Sequence, residues 1–72
     1  MHIVYNVKTD VLYIRMEDRK QPVINRRVSD DIVLDMGDGE KIVGVESVGA
    51  SAHVNLKNIL PVEYKISTGV PA

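Results

Sequence analysis

Apolar and polar residues alternate with a period of two along most of the chain up to Val48, and that alternation predicts strands. In residues 2–6, Ile3 and Tyr5 share one face and Val4 takes the other. Lys8, Thr9 and Asp10 supply a polar turn, and residues 11–16 form a second strand with Leu12, Ile14 and Met16 on one face and Val11, Tyr13 and Arg15 on its opposite. Its β-branched and aromatic content favours strand over helix. Residues 17–20 are too polar to pack and read as a loop. Pro22 then opens a third strand over 23–28, at a strand start where its missing N–H is tolerated.

Ser29 and Asp30 lead into a fourth strand over 31–36, with Ile32, Leu34 and Met36 on one face. Gly37-Asp38-Gly39-Glu40 is the clearest turn signal, because Asp-Gly supplies the positive φ values that a tight hairpin needs. Residues 41–48 are the returning strand, and Gly44 inside it marks a bulge or a close approach by another backbone. Alternation stops at Gly49. Over 50–60 the apolar residues Val54, Leu56, Ile59 and Leu60 take a helix-like spacing, Asn55 is a candidate cap, and Pro61 ends the run. Val62, Tyr64 and Ile66 alternate with Glu63 and Lys65 as a last strand or an extended arm, and 67–72 read as a frayed tail. The prediction is an α+β fold, a small antiparallel β-meander of about five strands with one short C-terminal helix, in one domain over 1–66.

Seventy-two residues bury only about 60% of the surface their unfolded chain exposes, so such a domain needs help to be stable. Cysteine is absent, which excludes disulfides and thiolate metal sites and leaves self-association as the leading support. No apolar run approaches the roughly 20 residues of a membrane helix, and no basic region leads into an apolar one at the N-terminus, so a cytoplasmic protein is expected. A net charge of −1 attracts neither nucleic acid nor an anionic membrane. Within it, Arg15, Arg19, Lys20, Arg26 and Arg27 precede an acidic stretch of Asp30, Asp31, Asp35, Asp38 and Glu40, and pairing between them across neighbouring strands is expected to contribute roughly 0.2–1 kcal/mol per pair.

The chemistry-bearing residues are few. His2 and His53 lack metal-ligand spacing, and the acidic run 35–40 has too few ligands for a calcium loop. No Gly-flanked nucleophile or phosphate-cradling glycine loop is present. Successive arginines at 26 and 27 point to opposite faces, so they make no nucleic-acid patch with Arg15 and Tyr13. Asp10, Asp35 and Glu46 are the carboxylates of interest: if the second, fourth and fifth strands adjoin, some of them converge near Tyr13 as an acid–base pair or a magnesium site. Against that, Asp10 reads as a turn residue, Asp35 as pointing outward beside Val33, and Glu46 as a partner of Tyr13 or Arg15.

Tyr5, Asp10, Leu12-Tyr13-Ile14, Ile32-Val33-Leu34-Asp35, Gly39, Gly44-Val45-Glu46, Val48 and Ala50-Ser51 follow in an order that resembles the small prokaryotic proteins grouped as domain of unknown function 2283. The resemblance spans about residues 1–52. Asn6, Val11 and Ser47 depart from it, standing where Asp, Ala and an aliphatic residue are expected. It implies the sheet but no activity, and the neighbourhood of such genes to small genes resembling toxins implies an antitoxin-like, partner-binding role.

The expected function is a non-enzymatic protein–protein interaction module acting as a homodimer or with a small protein partner. No catalytic, cofactor-binding or metal residue is assigned, no cofactor is expected, and neither membrane nor nucleic acid is an expected partner. Apolar positions on both faces motivate this: Val11 and Tyr13 as well as Leu12 and Ile14, Val33 as well as Ile32 and Leu34, Val43 and Val45 as well as Ile42 and Val48. One short helix covers only one face. Two alternatives stand beside it, a small metal-dependent hydrolase using Asp10, Asp35 and Glu46, and an antitoxin-like regulator whose tail, 61–72, folds onto a toxin.

Overall fold

Strands form where the alternation places them. The computed structural model, which describes residues 1–69, contains β1 (His2–Asn6), β2 (Val11–Arg15), β3 (Ile24–Arg27), β4 (Ile32–Met36), β5 (Ile42–Val48) and a one-turn helix α1 (Ala50–His53). All five strands join one antiparallel sheet in the order β1-β2-β5-β4-β3. Sequence neighbours pair in the β1–β2 hairpin and in the β3–β4–β5 meander, and the two pieces join where β5 lies against β2. The connection from β2 to β3 therefore passes around the end of β5 and β4. Arg19 holds it there through a 2.8 Å ion pair with Asp38, and Gln21 accepts the Asp38 N–H at 2.8 Å.

The β4–β5 hairpin closes as a 3-10 turn over Asp38–Glu40, with positive φ at Gly39 and at Glu40. Glycine at position 39 makes half of that left-handed step free of steric strain. Next to it the register slips. Asp35 pairs with Gly44 but Met36 pairs with Ile42, so Val43 is the extra residue of a bulge and its side chain is fully buried.

The 50–60 segment departs from a single helix. Only Ala50–His53 is α-helical, Val54 is extended, and a 3-10 turn follows at Leu56–Asn58. Asn55 stands at the start of that turn without a side-chain cap bond. A segment this short lacks the length to hold a helix unaided, so packing decides its shape. Leu56, Ile59 and Leu60 border a groove with Ile3, Tyr5 and Leu12, which places the segment over the β1–β2 end of one face.

Residues 62–66 have no strand partner, so the extended arm, rather than a last strand, is what forms. Val62, Tyr64 and Ile66 are exposed along it. Of the tail, 67–69 carry no regular structure and 70–72 lie outside the described residues.

Cross-sheet charge pairing is largely unrealised. Arg26 faces Leu34 and Arg27 faces Val33 in the register, and among the described residues neither makes an ion pair with a carboxylate. Arg27 instead donates to the Asp30 carbonyl at 2.7 Å. No helix among the described residues is long and apolar enough to cross a membrane.

Candidate functional site

The three carboxylates singled out by sequence separate into two places. Asp10 sits in the β1–β2 turn with φ 56°, a left-handed conformation that aspartate tolerates better than most residues. It gathers three donors: the Tyr5 hydroxyl at 2.6 Å, the Ser51 hydroxyl at 2.7 Å and the Ser51 N–H at 3.0 Å. Its own carbonyl accepts the Ala50 N–H at 2.9 Å, and Ala50 is fully buried. This cluster ties the start of α1 to the first hairpin across 41 positions of sequence.

Those bonds, from Tyr5 first and then Ser51, hold the Asp10 carboxyl below its ordinary value, while the same contact, burial and the Asp10 charge raise Tyr5. A depressed folded-state pKa contributes stability above the unfolded value near 3.8 that is lost as pH falls through the folded value. Asp10→Asn keeps the turn conformation but loses the charge. It is expected to destabilise the fold at neutral pH, with the gap to the unaltered protein closing on acidification below about 3.8, read by thermal unfolding across pH.

Asp35 and Glu46 do meet near Tyr13, as the adjacency of β2, β5 and β4 allows. Tyr13 pairs with Glu46, Glu46 with Val33, and Asp35 with Gly44. All five side-chain positions lie on one face, with Asp35 and Glu46 as diagonal neighbours. Gly44 makes the convergence possible. A Cβ there would stand 2.7 Å from the Tyr13 hydroxyl oxygen and 3.0 Å from the Ile14 carbonyl oxygen, so the tyrosine ring lies across the space that glycine leaves.

The expectation that Asp35 points outward to solvent is corrected. It shares the face of Val33 as the alternation requires, yet it is only 6% exposed, because the Tyr13 ring leaning over Gly44 and the neighbouring strands enclose it. Its Oδ1 is buried and accepts no hydrogen bond of ordinary geometry. Proximity to Asp35, burial and the Asp35 charge together raise Glu46, with Arg27 opposing. Burial first, then Asp35, raises the Tyr13 hydroxyl, and Arg15 opposes. Arg15 and Arg27 thus flank an acid pair, a role that register, not residue type, reveals.

The sign at Glu46 is opposite to that at Asp10. A raised folded-state pKa contributes stability below the unfolded value of 4.5 that is lost as pH rises through the folded value. Glu46→Gln removes that loss and is expected to leave the protein at least as stable as the unaltered chain at pH ~7. The advantage should vanish below about 4.5, as denaturant midpoints across pH would record.

Metal chemistry gains little from this arrangement. Asp10 lies in another cluster with its oxygens already engaged, and among the described residues no group of three His, Cys, Asp or Glu side chains stands where it could hold an ion. His2 and His53 are separate and half-exposed or more, 3.4 Å from Asp18 and 3.3 Å from Asp31 respectively. Half of the residues that carry the sequence resemblance, by contrast, fall into the two clusters: Tyr5, Asp10, Ala50 and Ser51 in one, Tyr13, Asp35, Gly44 and Glu46 in the other.

Comparison with known proteins gives a match of residues 2–51 to the family model described as a protein of unknown function, DUF2283. No curated protein and no solved structure matches the chain.

Proposed function

The chain belongs to the DUF2283 family of unknown function, a membership that brings no activity with it, and we propose that it acts as a non-enzymatic association module, pairing in the first place with a second copy of itself. One observation carries this reading: among the described residues twelve large hydrophobic side chains are exposed, from Met1 to Ile66, while the buried apolar core consists of Leu12, Val33, Met36, Val43 and Ala50. The accessible surface is 5911 Å² for 8.0 kDa, against roughly 4,400 Å² for a folded monomer of that mass. The unpaired arm over 62–66 contributes to that excess, and the apolar side chains exposed along it are area that association would bury.

Association links stability to concentration. The urea midpoint is expected to rise as protein concentration is raised, because a dimer is favoured over unfolded chains by mass action. A midpoint that stays fixed over a hundredfold range (about 2.7 kcal/mol of linkage) would remove the support.

A second reading, acid–base chemistry at Asp35 and Glu46, is favoured by the buried Oδ1 of Asp35 beside a carboxyl whose pKa is raised. Asp10 has no part in it. Magnesium added to the labelled protein should then shift amide signals near both acids, and an unchanged spectrum would reject a metal-assisted form of it.

A further inference from the structure

Seven of the twelve exposed large hydrophobics lie in two segments: Val23, Ile24 and Val28 in and beside β3, and Leu60, Val62, Tyr64 and Ile66 in the C-terminal arm. Both segments also have backbone groups without a strand partner. β3 is an outer strand of the sheet, and the Val28 N–H donates inward to Ile32 at 3.0 Å. Antiparallel alternation then turns the N–H and C=O groups of Asn25 and Arg27 outward, where an added strand would meet them. The arm has the matching pattern, apolar at every second position with Glu63 and Lys65 between, but lies unpaired.

The chain cannot bring these two segments together within one molecule. Leu60 sits beside Ile3, Tyr5 and Leu12, at the β1–β2 side of the sheet. Reaching past β3 from β2 means crossing about 19 Å, four inter-strand spacings. The two residues from Leu60 to Val62 span at most about 7 Å. The free edge within reach of the arm belongs to β1, which offers no arginine to Glu63.

We propose that residues 62–66 of one copy add as a sixth, antiparallel strand to the β3 edge of a second copy, and the reverse, closing a two-fold dimer by exchange of arms. With Val62 opposite Val28, the register sets Glu63 opposite Arg27, Tyr64 opposite Arg26, Lys65 opposite Asn25 and Ile66 opposite Ile24. All five pairings are then compatible: two aliphatic pairs at the ends, an ion pair, a tyrosine ring beside a guanidinium, and a lysine beside an asparagine that can accept from it. Arg26 and Arg27, neither of which makes an ion pair among the described residues of its own chain, gain partners. This exchange rests on the self-association proposed above and names the surface that mediates it.

The absence of native cysteine makes the test direct. Full-length chains carrying Arg27→Cys are mixed with full-length chains carrying Glu63→Cys and oxidised gently, alongside a mixture of His2→Cys and Glu63→Cys chains. Directly opposed positions on paired antiparallel strands lie about 4.5–5.5 Å apart, within disulfide range. A bridge between position 27 of one chain and position 63 of the other, with little in the His2 mixture, is the expected result. In parallel, Arg27→Glu should weaken the dimer on the order of tenfold, and adding Glu63→Arg to it should restore association. A dimer that forms no 27–63 bridge overturns the exchange while leaving self-association intact. A protein that stays monomeric at every concentration overturns both.

Discussion

Leu12→Ala is expected to cost about 2–5 kcal/mol, the range for emptying a buried leucine site. A domain of this length holds roughly 4–11 kcal/mol in all, so the substitution removes a large share of it and unfolds much of the population on warming. The position explains the size of the effect. Leu12 is 4% exposed in the middle of β2, between Tyr5 of β1 and Ser47 of β5, under the segment that contributes Leu56 and Ile59. So few other side chains are buried that none can collapse into the gap without uncovering another. Urea unfolding measures the loss. A change below about 1 kcal/mol would mean that the 50–60 segment does not seal this face.

Gly44→Ala is the second large effect, expected at about 1–3 kcal/mol, the usual penalty for inserting atoms into filled space. The new methyl would stand 2.7 Å from the Tyr13 hydroxyl oxygen and 3.0 Å from both the ring carbon bearing it and the Ile14 carbonyl oxygen. The tyrosine can swing away, but the carbonyl is backbone and holds the β2–β5 ladder in place. Displacing the ring also separates Tyr13 from Asp35, so the ring's titration should fall back toward the ordinary tyrosine value, which burial and Asp35 together raise in the unaltered protein. Tyr13→Phe removes one of the clashing atoms, and the double variant should therefore lose less than the two single losses added. Strict additivity would show that Tyr13 does not lie over Gly44.

Local pattern carried the strands and the β4–β5 turn well. A period of two is a property of the sequence itself, so β1 runs from His2 to Asn6 as alternation requires, and Asp38-Gly39 turns the chain where expected. The placement of β5 between β2 and β4 is different in kind. The Asp38-Gly39 turn brings β4 to one side, but nothing in residues 42–48 says that β2 takes the other, because several strands offer an apolar face of the same period. The enclosure of Asp35 follows from that placement and was equally hidden, whereas the bulge falls at Val43, one position before the glycine that marks it in the sequence.

The sites divide along the same line. Asp35 and Glu46 near Tyr13 was a conditional expectation, legible once β2, β5 and β4 are assumed adjacent, and Gly44 was legible as a special position but not as the floor beneath a phenol. Asp10 reads as a turn residue, which it is, yet its bonds to Ser51 bridge 41 positions and have no local signature. One short helix forms as expected, over Ala50–His53 alone: Leu56 and Ile59, whose spacing reads as helical, face the groove along β1 and β2 through an extended break at Val54 and a 3-10 turn. Charge proximity in sequence likewise gave no register, and Arg26 and Arg27 landed opposite Leu34 and Val33.

Sedimentation equilibrium of the unaltered chain, from low to high micromolar concentration, tests the central claim most directly. The expected result is a mass that rises to twice 8.0 kDa, with the exposed apolar surface buried between two copies. A single 8.0 kDa species at every concentration would contradict it.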